Sequence, residues 1–370
     1  LPYFCPLPVG TPTVPGGLDP TPPLPAAGPY YLAQHMGGEL GLFLPNPNYS
    51  GDRKRPWSAI AFRFGYQPGE AIRRVEAGLA DAATSGAFEP LLNAASERAK
   101  TWGPGSSAAG AGDQRWFGGP RFYTEFIALN PAQPLLRDPA VRKAIALALD
   151  RPALAALLGQ APSSGLLPPS VPGGPSVGAP PPTRDVEAAK ALMAGRTGTL
   201  RMEILPAEVN CTTCDAVANA VASQLAPIGI TVKVERVDDP EASVGDPKSK
   251  VGLFDGWLDT DYPDPVALFG LLRDHAWLPK ADLAELDRIE RLDGRERIDA
   301  AITFAARLTD QEGWLVPIGY PVYPLYTSKN VGCGYVQPAI GAVDLLSLCR
   351  RTGASAGPAP SAGPSPSAAP

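Results

Sequence analysis

The residues most suited to chemistry gather in one stretch, FDGWLDTDYPDPVALFGLL (254–272), where four aspartates stand among aromatics and two prolines. A carboxylate in such a stretch is either a charge kept for a ligand or a turn residue ahead of a helix. Asp261 is the candidate for the first role, but Asp is also an ordinary turn residue, and both readings stand at this point. Asp264 is simpler. Followed by Pro265, it has the form of an N-cap with proline at the first helical position, and it is assigned to the helix that begins at VALFGLL. Asp259, just before them, is the understudy to Asp261 and reads nearer to solvated filler.

Other constellations are weaker. Cys211-Thr-Thr-Cys214 opens a helix after a strand, where a thioredoxin-type pair would sit, but a lone CxxC is more simply a staple or an inert pair. Cys333 and Cys349 could pair, and five cysteines leave the connectivity open. His35 and His275 have no Cys or paired acid at ligand spacing, so no metal site is expected. Gly-x-Ser-x-Gly and the GxxxxGK phosphate loop are absent, and acids such as Glu285 and Asp287 lie on charged helical faces. No cofactor is implied and no catalytic residue is assigned.

A chain of 370 residues, 44% hydrophobic and 19% charged, suits two lobes of ordinary size. The net charge of −5 and the lack of a basic stripe argue against a nucleic-acid surface. No apolar run approaches the roughly 20 residues that span a bilayer. The 39 glycines and 45 prolines are concentrated in a few segments, notably 1–29, 162–185 and the tail 353–370, which is expected to be disordered.

The elements that must position the aspartates follow from periodicity. YYLAQHM and ELGLFL form a hairpin turning at Gly37-Gly38, and SAIAFRFGY alternates as a strand. GEAIRRVEAGLADAAT (69–84) has helical spacing through Ile72, Val75 and Leu79. RFYTEFIALN (121–130) is a strand, and DPAVRKAIALALDRPALAALLG is a helix capped by Asp138 with Pro139 behind it. Helices and strands then alternate through DVEAAKALMAG, TLRMEILPA, CDAVANAVASQLAPIG, ITVKVERV and VGLFDGW, predicting an α/β lobe with a mainly parallel sheet. Two charged helices and the extended WLVPIGYPVYPLYTSK close the folded part.

These pieces, in this order, resemble the family 5 solute-binding proteins of bacterial ABC importers. GPYYL (28–32), NPNYSG (46–51), VEAGLAD (75–81), FIALNPAQPLLRDPAVRKAIALALDR (126–151), APIGITV (226–232), DGWLDTDYPDP (255–265) and LVPIGYP (315–321) carry the resemblance. It departs in its length, in NPNYS where an aromatic usually ends the motif, and in one extra residue between Trp257 and Asp261. Together with the start at Leu1, it implies a chain incomplete at its N-terminal side.

The resemblance implies an α/β, bilobal, periplasmic-binding-protein-like (type II) fold, one lobe largely complete and the other partial. Residues 1–130 would belong to the partial first lobe, 131–314 to the second lobe, and 315–352 to the return crossing. RFYTEFIALN and WLVPIGYPVYPLY would be the two crossings. It further implies an extracytoplasmic, peripheral, monomeric protein that closes on a small solute, expected to be an oligopeptide, and hands it to ABC permease subunits. In relatives a matching aspartate holds the peptide's α-ammonium, which places Asp261 as ligand, with Trp257, Tyr262 and Asn130 around it. A thiol redox or other enzyme on Cys211/Cys214, and a sensor or interaction domain on the same fold, are the alternative classes.

Overall fold

The computed structural model describes residues 13–14, 17–18, 25–36, 39–85, 90–176, 178–205, 213–246, 248–275, 277–339 and 341–351. The expected turn at Gly37-Gly38, Cys211 and the Pro/Ala/Ser/Gly tail lie outside them.

The early part of the chain builds two small sheets. Strands β1 (Tyr30–Met36), β2 (Leu40–Pro45) and β3 (Ile60–Arg63) form an antiparallel meander. Helix α1 (Pro68–Glu76) buries Ile72 and Val75 and stops where Gly78 turns to φ +74°, a conformation that glycine adopts without strain. The helix therefore ends before Leu79, which is 67% exposed, and the expected long helix gives way to strand β4 (Ala82–Thr84). Strand β5 (Trp116–Pro120) follows, and strand β6 (Tyr123–Leu129) continues the chain two residues later.

The run DPAVRKAIALALDRPALAALLG makes two helices rather than one. Asp138 caps α2 (Pro139–Ala148), accepting from the backbone N–H of Ala140 at 2.8 Å, and Asp150 caps α3 (Arg151–Leu157), accepting from Ala153 at 3.0 Å. A second capping signal, Asp150-Arg151-Pro152, restarts the helix after Leu149 turns extended. Beyond the short strand β7 (Ala161–Pro162) come α4 (Val186–Met193), β8 (Gly198–Ile204), α5 (Cys214–Leu225), β9 (Ile230–Arg236) and β10 (Leu253–Asp259). Helices α6 (Pro265–Phe269), α7 (Lys280–Glu290) and α8 (Gly294–Ala306) follow. Strands β11 (Leu315–Tyr320) and β12 (Val322–Thr327) are separated by Pro321 alone.

The large sheet runs β9-β8-β10-β6-β11-β7. Its β8 pairs in parallel with β9 and β10, as the βαβ alternation demands, but β6, β11 and β7 add to it antiparallel. The expectation of a mainly parallel sheet fails because β6 enters from outside the βαβ unit and runs against β10, and β11 and β7 then alternate in direction beyond it. One face of the sheet packs on α2, α3, α4 and α5 through residues such as Ile127, Leu129, Ile145, Val217 and Leu253. The other packs on α6, α7 and α8 through Phe126, Phe254, Phe269, Leu286 and Phe304.

A separate core surrounds Ile72, Leu92, Trp116 and Tyr326, on a sheet ordered β4-β12-β5. The chain thus leaves one sheet and enters the other at two adjacent places, between Pro120 and Tyr123 and at Pro321. Cys333 and Cys349 form a disulfide, with Cα atoms 5.5 Å apart, behind the smaller sheet.

Candidate solute-binding site at the sheet junction

The junction between the two sheets is where polar side chains collect on otherwise apolar strands. On β6 and β10 the register places Glu125 opposite Trp257, Ile127 opposite Asp255 and Tyr123 opposite Asp259. Alternate residues of a strand share a face, so Tyr123, Glu125, Asp255, Trp257 and Asp259 lie on the face that, farther along, carries Ile127, Leu129 and Leu253 of the core. Across β6, Gly319 of β11 is opposite Glu125. A Cβ at Gly319 would come within 2.3 Å of Gln160 Oε1, so glycine at this position leaves the room in which Gln160 approaches the acid.

Gln160, 2% exposed, donates through Nε2 to Glu125 Oε2. Burial dominates the electrostatics here. It raises the Glu125 carboxyl to about 7, against the smaller opposing pull of the Gln160 hydrogen bond. Asp255 is pushed well above the usual carboxylate range, first by burial and then by the neighbouring Glu125 charge. The Tyr123 hydroxyl is raised by burial, with the acids adding to it. Asp255 Oδ1 is shut off from solvent with no hydrogen-bond partner.

Asp259 departs from the reading of solvated filler. It is partly buried and pairs with Arg121 at 3.4 Å; burial nevertheless raises its pKa, with Arg121 opposing. Arg121 also lies 5.7 Å from the centre of the Tyr323 ring, so it ties the first crossing to β12.

The residues singled out in the sequence are not brought together as one set. Trp257 lies on the strand face beside Glu125 and packs against the core that includes Phe254 and Leu258. Asp261 and Tyr262 lie on the exposed turn after β10, Tyr262 at 45% exposure. Asn130 is 2% exposed, and both ends of its amide are engaged within the chain. Its Nδ2 donates to the Val251 carbonyl at 2.7 Å and its Oδ1 accepts from the Ala132 N–H at 2.9 Å. Asn130 therefore fastens the end of β6 to the start of β10. Asp264 caps α6 as expected, accepting from Val266 N–H at 2.8 Å, and its other oxygen takes Arg297 at 3.0 Å.

Sequence reasoning passed over Glu125, Asp255 and Gln160. The available signal was an acid inside the strong strand YTEFIAL and another before Trp257, each at a position where alternation calls for a face shared with core residues. Cys214 is disulfide-bonded, and His35 is exposed on β1. Among the described residues no group of three or more His, Cys, Asp and Glu could hold a metal ion, and no helix is long and apolar enough to cross a membrane.

Residues 13–277 match the family described as "Bacterial extracellular solute-binding proteins, family 5 Middle". The chain belongs to this family, whose members bind solutes for transport. Among solved structures, an ABC transporter substrate-binding protein from Sinorhizobium meliloti superposes with a TM-score of 0.69 at 18% identity, over 88% of this chain and 68% of that one. NikA from Brucella suis, in complex with Fe(III)-EDTA, gives 0.64 at 20% identity over 88% and 68%. The unliganded open form of the periplasmic murein tripeptide binding protein MppA gives 0.65 at 16% identity over 87% and 63%. These likenesses show the bilobal α/β fold. The chain spans about two thirds of the length of these relatives. No curated protein matches the sequence.

Proposed function

We propose that the chain is the solute-capturing component of an ABC importer, acting outside the cytoplasm by closing its two sheets around a small peptide-like solute. One observation supports this best. Two adjacent crossings, at 120–123 and 321, are the chain's route between two separately cored sheets, and charged and aromatic residues line the larger sheet where they meet. Such a pair of crossings is a natural hinge, because rotation at a few residues moves whole cores without breaking them.

In this reading Asp261, on the turn beside Asp259, accepts the solute's α-ammonium on closure, when desolvation makes an unpaired cation costly. Trp257 and Tyr262 form apolar walls. Asn130 contributes by holding β6 and β10 in register. No bond is made or broken in the solute; the protein works as a monomer that docks on its permease in the closed form. Relatives named for murein tripeptide and found with Fe(III)-EDTA show that the fold takes chemically different cargo. The peptide reading here rests on the placement of acid and aromatic groups.

The test is a thermal-shift screen of the whole chain against di- to pentapeptides, with Asp261→Asn alongside. A peptide at 100 times its Kd stabilises the native state by about 2.7 kcal/mol. The expected result is a shift for a subset of peptides that Asp261→Asn removes. A cooperative melt that no peptide moves would refute the peptide reading.

A further inference from the structure

We propose that Glu125, Asp255 and Gln160 form a subsite for an organic cation, a protonated amine or a guanidinium, carried by the solute in addition to its α-ammonium. The proposal deepens the solute-binding reading and rests on it, and it names the class of solute.

The three groups share one deficiency. Asp255 Oδ1 is buried with no partner, and the Oε1 atom of Gln160, on a residue only 2% exposed and bonded through Nε2 to Glu125, is likewise buried without one. Every unmet group is an acceptor. A site built for its own stability would not leave a carboxylate oxygen and an amide oxygen without a donor beside a second carboxylate whose one hydrogen bond comes from that amide, because buried polar groups are normally satisfied within the protein. An ammonium brings three donors and a guanidinium five, with a positive charge.

The charges of the chain itself do not fill the gap. Arg121 on the same crossing pairs with Asp259 at 3.4 Å, and among the described residues neither Glu125 nor Asp255 has an ion-pair partner. Trp257, opposite Glu125, and Tyr123 supply aromatic surface of the kind that attracts cations. A metal ion is disfavoured, since the described residues offer no group of three ligands. Selection follows from these features. A neutral side chain would leave the acceptors unmet on closure, whereas a cationic one satisfies them and offsets the buried charge.

Uptake is linked to pH. Burial holds Glu125 near 7, and Asp255, Tyr123, Asp259 and Arg121 are the titratable groups around it. A bound cation favours the ionised carboxylates, so binding releases a proton and tightens as pH rises through about 7.

The test is isothermal titration calorimetry on the whole chain with Ala-Lys-Ala, Ala-norleucine-Ala and spermidine, at pH 6 and 8, for wild type, Glu125→Gln and Asp255→Asn. At pH 8 the lysine peptide should bind at least about 10-fold tighter than its norleucine counterpart, the margin expected when a buried charge-assisted contact is lost. That advantage should shrink at pH 6. Each variant should abolish it. Both variants are near-isosteric, and melting temperatures at pH 8 equal to or above wild type will show that they fold.

Equal binding of the two peptides would overturn the subsite and leave the peptide reading standing. Spermidine binding that Glu125→Gln removes, with neither peptide bound, would sustain the subsite and overturn the peptide reading. Failure of both cationic probes to bind wild type, or a lysine advantage that persists in both variants, would overturn the subsite.

Discussion

One face of the β6–β10 ladder has two ends with opposite character. At the end nearer residues 127–129 and 253 it is apolar, and Ile127, Leu129 and Leu253 are fully buried beneath α2 and α5. At the end nearer the crossings, one or two strand positions on, it carries Tyr123, Glu125, Asp255 and Asp259. The backbone pairing is unbroken across the boundary. What changes is the cover: the helices pack on the first end, while the second faces the junction between the sheets. The difference teaches that a strand can be core for half its length and site for the rest, and that the acids are tolerated only because the second half leaves the core.

Breaking the apolar end should have the largest effect. Ile127→Ala removes a fully buried side chain that faces Asp255 across the ladder. A loss of about 3 kcal/mol is expected from cavity formation, read by denaturant unfolding. A loss below about 1 kcal/mol would mean that the acidic end extends into what is described as core.

The acidic end should respond in the opposite direction. Glu125 has its folded-state pKa raised from 4.5 to about 7, so the native state holds a proton that the unfolded chain gives up. Its carboxyl is harmless below the unfolded value and costs stability increasingly as pH rises from 4.5 to about 7. Glu125→Gln should therefore raise stability at pH 8, on the order of 2 kcal/mol once partial solvation is allowed for, and leave it unchanged at pH 4. Thermal melts of both proteins across that range give the answer; parallel curves would contradict it.

Asp264→Ala sharpens the contrast between capping and site aspartates. It removes the cap of α6 and the Arg297 pair, and a loss of about 1 kcal/mol is expected with solute affinity unaltered. Asp261→Asn should do the reverse. It lies on an exposed turn, so stability should change by less than about 0.5 kcal/mol, while peptide affinity falls.

The sequence disclosed the fold better than the site. The Asp-Pro signals at 138–139 and 264–265 located helix starts correctly because a cap is a local event, settled within three residues. The break at Leu149 was equally local and was spelled out by Asp150 and Pro152, but the continuous apolar period concealed it. Sheet direction was harder. That β6 would insert antiparallel between β10 and β11 depends on pairing between residues more than 120 and nearly 190 positions apart, which no local pattern encodes.

At the site, motif resemblance drew attention to Asp261 and Trp257, whereas Glu125 and Gln160 become neighbours only through tertiary approach at Gly319. Asn130 shows the converse limit. A polar residue just after a crossing strand looks available for a ligand until its two hydrogen bonds to Val251 and Ala132 are seen.

The most direct measurement is an NMR titration of the side-chain carboxyl carbons in ¹³C-labelled protein without solute, with Glu125→Gln and Asp255→Asn used for assignment. If the far end of this ladder is a water-poor acidic recess, Glu125 will titrate near 7, and Glu125→Gln will lower the value at which Asp255 titrates. A Glu125 that titrates near 4.5, with an Asp255 that ignores its replacement, would contradict the account, because the two ends of the face would then differ only in sequence and not in environment.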